Sequence, residues 1–273
     1  MDAIKVLRNK NFKFNKKYGQ NFLTDQNLLA DIVSKSGVTP NDVVVEIGVG
    51  AGTLTAESAK VAKKVYGYEI DTSLKPILKE TLAGYDNVEI TFKDIMQEPI
   101  SELESKIGEE YIVIANLPYY ITTPIIMLFI EKAKKCKAIV VMVQKEVAER
   151  LSAKSSSSDY GTITVSVNAV ADTEIIKYVG REMFLPPPNV DSAVIKMVIN
   201  RNKYNITDET AFKKLIKNSF LMKRKTFVNN VIKSYNISRQ EVEDILNGLN
   251  LNANCRAEDL TVEDFIKLSE IIK

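Results

Sequence analysis

Residues 43–54 have the sequence VVVEIGVGAGTL, which predicts a buried strand, a glycine-rich turn and the start of a helix. The three glycines, at positions 48, 50 and 52, follow a GxGxG spacing, and Glu46 stands two residues before the first of them. Glycines let backbone N–H groups approach a ligand closely at a helix N-terminus. The dinucleotide-binding fingerprint would instead be GxGxxG. Taken alone, the stretch is compatible with a nucleotide site and also with a tight turn that binds nothing.

Short apolar strands alternate with amphipathic helices on both sides of this stretch, from about residue 20 to residue 200. Helices are predicted, for instance, at residues 27–36 and 123–134. Val, Ile and Tyr dominate the strands, as expected for strands that are buried on both faces. The predicted strands are residues 43–47, 64–69, 88–92, 111–115, 138–144, 163–169 and 193–199. This alternation predicts an α/β fold, Rossmann-like and doubly wound around a mostly parallel sheet.

The alternation stops after about residue 200, and apolar residues then recur at helical spacing. Two capping-box patterns, Ser-x-x-Glu from position 238 and Thr-x-x-Asp from position 261, indicate helix starts. We therefore expect two domains: residues 1–200 with the parallel sheet and a basic N-terminal arm, and a small all-helical domain at residues 201–273.

The composition excludes several classes of function. The chain of 273 residues has 45% hydrophobic and 26% charged residues, which is ordinary for a soluble globular protein. It has no histidine, so histidine-based triads, histidine metal sites and imidazole acid–base catalysis are excluded. The two cysteines form no CxxC pair, which favours a reducing compartment over a disulfide scaffold.

No apolar run approaches the roughly 18 residues that a membrane helix needs, and the N-terminus lacks the apolar core of a signal peptide. We therefore expect a cytoplasmic protein that has no membrane segment and no metal, and that acts as a monomer.

The positive charges are concentrated in two blocks, although the net charge is only +2. Residues 3–24 and 210–240 contain no Asp or Glu but many Lys and Arg. Two such blocks on a nearly neutral chain favour a polyanion partner, although each block by itself could be a solvated basic face. The candidate contacts to such a partner are Lys10, Lys13, Lys16, Lys17, Lys223, Arg224 and Lys225.

Acidic residues end two successive predicted strands after the glycine-rich turn. Glu69 lies about 20 residues beyond Gly48, where an acid can accept the hydroxyls of a ribose. Asp94 follows the next strand, and its carboxylate could accept from an adenine amine while Ile95 packs against the ring. Each acid by itself would more often be a solvated charge. Because ligands of open α/β sheets bind at the carboxyl ends of the strands, the combination predicts a cofactor that contains adenosine.

The next strand ends in Asn116-Leu117-Pro118-Tyr119, at the same predicted edge of the sheet. An amide oxygen and a peptide carbonyl held by proline can both accept hydrogen bonds from one amino group. These contacts raise the nucleophilicity of the nitrogen and aim it, while a tyrosine ring can stack on the base. Turns of this kind also end strands without any function, so the adjacent nucleotide-type pocket is what favours the catalytic interpretation.

These motifs together resemble those of the S-adenosylmethionine-dependent ribosomal RNA adenine dimethyltransferases, and most closely their bacterial small-subunit members. The resemblance covers nearly the whole chain. It is carried by GQNFL at 19–23, EIGVGAGTLT at 46–55, EID at 69–71, Asp94, NLPY at 116–119, QKEVAERL at 144–151, FLPPPNVDS at 184–192, RKT at 224–226 and RAEDL at 256–260.

The resemblance implies a class I methyltransferase fold and a role for each matching residue toward S-adenosylmethionine. Asn21 and Leu23 would close over the methionine end, and Gly48 and Gly50 would let the cofactor lie against the turn. The ribose would be bound by Glu69 and the adenine amine by Asp94, and Asn116 would lie next to both ligands.

For the substrate, the resemblance implies that Asn116 and the Leu117 carbonyl, held by Pro118, bind N6 of the target adenine. Tyr119 and Phe184 would stack on the two faces of that base. The target would be two adjacent adenosines near the 3′ end of small-subunit ribosomal RNA, with the basic blocks on the RNA backbone. Tyr120 is a departure, since many relatives have Asn after NLPY.

Alternative functions remain open. One is a resistance-type methyltransferase that acts on an adenine of large-subunit RNA, and the 144–151 segment and the helical tail argue against it. Another is an RNA-binding ribosome-assembly factor on a methyltransferase fold, which intact Asn116, Tyr119, Glu69 and Asp94 argue against. A nicotinamide dehydrogenase is a further alternative, but in such an enzyme the NLPY segment would have no function.

Overall fold

The computed structural model describes Val6, Phe12, residues 21–23 and residues 25–273. The predicted RNA contacts at Lys10, Lys13, Lys16 and Lys17 lie outside the described residues. In the described part of the chain, no helix combines the length and the apolar character that crossing a membrane requires.

The strands bear out most of the predicted pattern. In chain order they are β1 (Phe22–Leu23), β2 (Val43–Ile47), β3 (Lys64–Glu69), β4 (Val88–Phe92), β5 (Tyr111–Asn116), β6 (Cys136–Gln144), β7 (Ala171–Val179), β8 (Phe184–Leu185) and β9 (Ser192–Ile199). The first three strands predicted after the N-terminal arm have the predicted bounds. β5, β6 and β9 are one or two residues longer than predicted.

The helices of the described residues occupy the connections and the C-terminal part. They are α1 (Gln26–Ser36), α2 (Thr53–Ala59), α3 (Lys75–Thr81), α4 (Ile100–Ile107), α5 (Tyr119–Lys132), α6 (Lys145–Leu151), α7 (Thr162–Asn168), α8 (Glu209–Ser219), α9 (Phe227–Ser234), α10 (Arg239–Gly248) and α11 (Val262–Ile271). The two predicted capping boxes are present at the starts of α10 and α11.

The main sheet has seven strands in the order β4-β3-β2-β5-β6-β9-β7. β2 pairs in parallel with both β3 and β5, and the β3–β4 and β5–β6 pairs are parallel too, whereas β9 is antiparallel to β6. After β2 the chain builds first toward β4 and then, from β5, toward the other edge. The strand order therefore reverses between β2 and β5, and such a reversal is where open α/β sheets bind ligands.

The central strands hold the sheet together by burial. All five residues of β2 are buried, and so are the first five of β5. Strands covered on both faces read as continuous apolar runs, which is why the valines of β2 predict its position so well. The two-stranded sheet of β1 and β8 is separate, and it pairs Leu23 with Phe184.

The prediction of a strand at residues 163–169 was wrong, because these residues form helix α7. Its β-branched sequence TITVSVN favours a strand, but Val165 and Ala169 pack into a core of helices. The Thr164 hydroxyl donates to the Arg150 carbonyl at 2.7 Å and accepts from the Gly161 N–H at 3.2 Å. Tertiary packing thus overrides the intrinsic preference.

Strand β7 was not predicted from the sequence. This strand lies at the edge of the sheet, and most of its residues are exposed or half-buried. An edge strand with polar residues such as Asp172, Glu174 and Lys177 has no continuous apolar run to mark it.

The chain divides into two compact units, and the division differs from a single boundary at residue 200. One unit, the sheet unit, comprises Met1–Ala148 and Glu174–Ile199, and the other, the helical unit, comprises Glu149–Thr173 and Asn200–Lys273. Residues 149–173 belong to the second, helical unit because Tyr160, Val165 and Ala169 supply part of its buried core. The expected all-helical region after residue 200 is present, but it is completed by this earlier segment.

Candidate active site

A cavity opens at the carboxyl edge of the sheet, where the strand order reverses. Its empty volume, open mouth included, is about 1080 Å³. It is lined by every cofactor-binding and catalytic residue predicted from the sequence: Asn21, Leu23, Gly48, Gly50, Glu69, Asp94, Asn116, Leu117, Pro118, Tyr119 and Phe184. The fold therefore brings together residues that are up to 163 positions apart in the chain, counting from Asn21 to Phe184 (184 − 21).

The turn after β2 requires its glycines. Gly48, Gly50 and Gly52 have φ angles of +75°, +58° and +81°, in the left-handed region that residues with a Cβ rarely adopt. A Cβ at Gly50 would also stand 2.7 Å from Cε1 of Phe22, so the phenyl ring packs directly over this position. The GxGxG spacing is explained by backbone conformation and close packing at the cavity wall.

Glu69, at the end of β3, is 6% exposed and hydrogen-bonded to this turn. Its Oε2 accepts from the Gly50 N–H, and its Oε1 accepts from the N–H groups of Ile70 and Asp71, all at 2.8 Å. Burial raises the pKa of Glu69, and these backbone hydrogen bonds act in the opposite direction. A carboxylate has about four acceptor positions, so one remains at Oε2 for a ligand hydroxyl.

Asp94 follows β4 and caps the short helical turn Ile95–Gln97. Its Oδ1 accepts from the Met96 N–H at 3.0 Å. This contact orients the carboxylate at the cavity wall, with the buried Ile95 beside it.

Asn116 is the last residue of β5 and is half-buried. Its Nδ2 donates to the Asn21 carbonyl at 3.3 Å. This bond uses the donor side of the amide and leaves the acceptor Oδ1 for other partners. Pro118 then caps α5, and its φ of −55° fixes the path of the chain between Leu117 and Tyr119.

Two tyrosines open α5 in different environments. Tyr119 is half-buried, and its hydroxyl lies 2.8 Å from Oγ of Ser192. Burial raises the pKa of Tyr119. Tyr120 also lines the cavity but is 67% exposed, and it is the residue that departs from the family pattern.

Phe184 has two environments at once. It lines the cavity, and it is also only 5% exposed and packed in the core of the sheet unit with Leu23 and Val194. Its place beside the cavity depends on the β1–β8 pairing, which joins the segment before α1 to a position more than 150 residues later.

Glu46, for which the sequence predicted no role, lies within β2 and lines the cavity. Its side chain is 1% exposed, and its Oε2 has no hydrogen-bond partner in the described part of the chain. Burial raises the pKa of Glu46 to about 8, an effect that nearby Thr55 partly offsets and that the charge of Glu69 reinforces. The signal in the sequence was an acid on an otherwise apolar strand, two residues before the first glycine.

In the helical unit, the predicted cations Lys223, Arg224 and Lys225 are all exposed. They belong to the basic loop, which we define as residues 222–226, between α8 and α9. The buried Asn230 holds this loop, since its Oδ1 accepts from the Met222 N–H at 2.9 Å and its Nδ2 donates to the Met222 carbonyl at 3.3 Å.

The residues of the cavity fit S-adenosylmethionine. This cofactor carries adenosine, and it is positively charged at its sulfonium. The orphaned buried oxygen of Glu46 and the remaining acceptor position on Glu69 suit a ligand that brings hydrogen-bond donors, such as the hydroxyl groups of a ribose. At Gly48 a Cβ would stand 3.5 Å from Leu117, so the absence of a side chain there keeps the turn open beside the NLPY segment. Among the described residues, no group of three or more Cys, Asp or Glu side chains is placed to hold a metal ion.

Relatives in sequence match nearly the full length of the chain. The "Ribosomal RNA small subunit methyltransferase A" of Clostridioides difficile is 44% identical over 270 residues, which cover 98% of this chain and 93% of the relative. The protein of the same name from Ligilactobacillus salivarius is 44% identical over 268 residues, covering 95% and 90%.

Two solved structures are similar in fold and are both methyltransferases. A dimethyladenosine transferase from Plasmodium falciparum has a TM-score of 0.76 and 27% identity, covering 90% of this chain and 95% of that one. The 23S rRNA methyltransferase ErmE has a TM-score of 0.70 and 25% identity, covering 92% and 99%. The predicted class I methyltransferase fold is therefore confirmed, and the cofactor is S-adenosylmethionine.

The family model for ribosomal RNA adenine dimethylases matches residues 11–273. This match includes both compact units of the chain as well as the residues around the cavity. Together with relatives that share more than two fifths of their residues, it shows that the chain belongs to the ribosomal RNA adenine dimethylase family.

Proposed function

We propose that this protein transfers methyl groups from S-adenosylmethionine to N6 of two adjacent adenosines in the 3′-terminal hairpin loop of small-subunit ribosomal RNA. The observation that carries the proposal is the position of Asn116, whose free acceptor stands at the same cavity wall as Glu69, Asp94 and the glycine turn. The small-subunit names of the relatives support the choice of RNA.

The chemistry needs positioning rather than a strong base. The cofactor supplies a methyl carbon made electrophilic by its sulfonium. Oδ1 of Asn116 and the Leu117 carbonyl accept the two N6 hydrogens of adenine, which localises the nitrogen lone pair and aims it at that carbon. Alignment of this kind is a large part of the catalytic effect in group-transfer enzymes. The chain has no histidine, and this mechanism asks for none.

The same two hydrogen-bond acceptors can serve two rounds of methylation. In the first round the N6–methyl bond forms as the sulfonium–methyl bond breaks, and the nitrogen releases one proton to solvent. The remaining N6 hydrogen can still be bound by one of the two acceptors. In the second round the nitrogen gains another methyl group and releases this last proton to solvent, so it has no hydrogen left to donate. The doubly methylated base therefore loses its hydrogen bonds to the site, which favours release.

The target base must leave its stack to enter the cavity, at a cost of a few kcal/mol. Tyr119 and Phe184 offset this by stacking on the two faces, since aromatic stacking is worth about 1–3 kcal/mol per base. Glu69 accepts a ribose hydroxyl of the cofactor at Oε2, and Asp94 accepts from its adenine amine. Asn21 and Leu23 close over the methionine end.

The basic groups bind the RNA backbone. Lys223, Arg224 and Lys225 contribute from the basic loop, and Lys10, Lys13, Lys16 and Lys17 contribute from the N-terminal arm. Phosphate contacts fix orientation without specifying sequence, so the shape of the RNA in the assembling subunit selects the target. The protein acts as a monomer in the cytoplasm, where its ribosomal substrate is assembled.

The structural similarity to ErmE makes large-subunit RNA the second candidate substrate. The relatives named for the small subunit are more similar in sequence, at 44% against 25% identity, and favour the first.

One experiment separates the candidates. The purified protein is incubated with labelled S-adenosylmethionine and with small or large subunits that lack the modification, and the labelled nucleotides are mapped. We expect two adjacent dimethylated adenosines in the small-subunit RNA. Label only in the large subunit would favour the second candidate, and no label in either RNA would contradict both.

A further inference from the structure

We infer that Ser192 is a positioning residue for Tyr119: its buried hydroxyl anchors the far end of the tyrosine ring that faces the target base. The inference rests on the proposed function, because it gives the proposed stacking residue its support. Ser192 ends the FLPPPNVDS motif, and it does not line the cavity, so any effect on the reaction passes through Tyr119.

The topology brings Ser192 to the right edge of the sheet. It is the first residue of β9, which runs antiparallel to β6, and it pairs with Gln144 at the carboxyl end of β6. The start of an antiparallel strand thus lies at the edge where the parallel strands end. This is the edge that holds the cavity.

The contact itself is short and shielded. The hydroxyl of Tyr119 lies 2.8 Å from Oγ of Ser192, and Ser192 is 0% exposed. A hydrogen bond that is screened from water keeps its geometry, and a buried hydroxyl that loses its partner is costly. Fixing the phenol oxygen limits rotation of the tyrosine about its Cα–Cβ bond, so the ring stays in its position beside the cavity.

The backbone around Ser192 is held in place by several hydrogen bonds. The residue before it, Asp191, accepts from the Lys145 N–H through its carbonyl at 3.0 Å and from the Arg181 N–H through its Oδ1 at 3.1 Å. Together with the pairing to Gln144, these bonds leave Ser192 little freedom to follow a moving ring.

The alternative is that the contact only satisfies a buried phenol. A satisfied hydroxyl would matter for stability, and its removal would leave turnover unchanged in the folded enzyme. A positioning contact affects turnover, leaves the KM for S-adenosylmethionine unchanged, and makes the two partners interdependent.

The test compares Ser192→Ala, Tyr119→Phe and the double variant in the full chain, with undermethylated small subunits as substrate. We expect each single variant to lower kcat about tenfold, as for loss of one buried hydrogen bond, with an unchanged KM for S-adenosylmethionine. The double variant should be no slower than the worse single variant, because both remove the same bond. Ser219→Ala, which removes another fully buried serine hydroxyl, is the control and should retain wild-type kcat.

Wild-type kcat for Ser192→Ala, or multiplicative losses in the double variant, would overturn the inference. If Ser192→Ala fails to fold, Tyr119→Phe removes the bond from the other side, and wild-type kcat in that variant would be equally decisive. Tyr119→Ala separates the anchor from the stacking role. Full activity of Tyr119→Ala would contradict the proposed stacking role, whereas an inactive Tyr119→Ala beside an active Ser192→Ala would contradict only the anchor.

Discussion

The cavity wall of the sheet unit and the basic loop of the helical unit satisfy their polar groups in opposite ways. At the cavity wall, Asn116 uses one N–H on the Asn21 carbonyl, and its Oδ1 accepts no hydrogen bond from any described residue. In the helical unit, Asn230 has its oxygen and its nitrogen both bonded to the backbone of the basic loop.

This difference in hydrogen bonding distinguishes a region that can bind a ligand from one that holds the fold together. A buried or half-buried polar group without a partner is costly, so a fold retains it only where a ligand completes it or where strain is tolerated. Glu46 follows the same pattern as Asn116, with a buried oxygen that lacks a partner among the described residues. Both polar groups of the Asn230 side chain are hydrogen-bonded within the protein. The groups available to a ligand in this region are the exposed charged side chains of the basic loop.

The largest expected effect is on turnover at the cavity wall. Asn116→Ala removes the proposed acceptor for the substrate amine, and we expect kcat to fall about a hundredfold, as for loss of a group that acts in the transition state. Cofactor affinity, measured by calorimetry, should stay close to that of the wild type. The exposed Asn41→Ala is the control. Unchanged turnover in Asn116→Ala would show that its free acceptor has no catalytic role.

The next effect is on stability and concerns the scaffolding asparagine. Asn230→Ala leaves the Met222 N–H without its partner and removes one of the two hydrogen bonds to the Met222 carbonyl, which still accepts from the Lys225 N–H. The free energy of unfolding should fall by about 2–3 kcal/mol. Thermal or denaturant unfolding measures the loss, and the exposed Asn254→Ala should change stability by less than about 0.5 kcal/mol. If both variants are equally stable, Asn230 does not hold the loop.

A further effect on stability should depend on pH. Because burial raises the pKa of Glu46 from 4.5 to about 8, the folded state holds this proton more tightly than the unfolded state. The stabilisation is complete below pH 4.5 and is lost as the pH rises toward 8. Glu46→Gln keeps a neutral side chain at every pH.

The difference in unfolding free energy between Glu46→Gln and the wild type, without cofactor, should therefore grow in favour of the variant by up to about 5 kcal/mol over this range. Urea unfolding at a series of pH values tests this. If the free energies of unfolding of Glu46→Gln and the wild type change with pH in the same way, the pKa of Glu46 is not raised in the folded protein.

The smallest effect at a single salt concentration is expected in the basic loop. Replacing Lys223, Arg224 and Lys225 together with Ala should weaken binding to small-subunit RNA several-fold, because exposed charges act on phosphates through solvent that screens them. The slope of log K against log salt should become shallower by roughly 0.7–0.9 for each phosphate that the protein no longer neutralises. Cofactor affinity should be unaffected.

Alanine at Lys79, Lys132 and Lys134, three exposed lysines of the sheet unit, removes the same charge and is the control. If that variant changes the salt slope as much, the basic loop has no special part in RNA binding and the contrast between the two regions weakens.

Local sequence predicted the central strands because their burial is reflected directly in their composition. β2 and β3 have the predicted bounds, because strands covered on both faces leave strong signals. The edge strand β4 also has the predicted bounds although it is only half-buried, because its apolar residues alternate with Glu89 and Thr91. The edge strand β7 leaves no such signal, and the β-branched segment of α7 gives the opposite one. Both errors arise where packing partners far along the chain decide the conformation.

The candidate site divides in the same way. Gly48, Gly50 and Glu69 stand at the ends of local motifs, so their types and spacing were enough to place them at one edge of the sheet. The environment of Glu46, the amide orientation of Asn116 and the Tyr119–Ser192 contact could not be predicted, because each depends on a neighbour that only the fold supplies.

The sequence by itself determined the α/β class, the ligand edge and the chemical types available there, since glycine, amide and carboxylate groups carry their properties wherever they stand. Only the tertiary structure decided which of those groups are already bonded and which are not. Hydrogen bonding and burial are pairwise properties of atoms brought together across the chain. A spacing pattern can predict that an acid ends a strand, but the three-dimensional packing alone decides whether its charge has a partner.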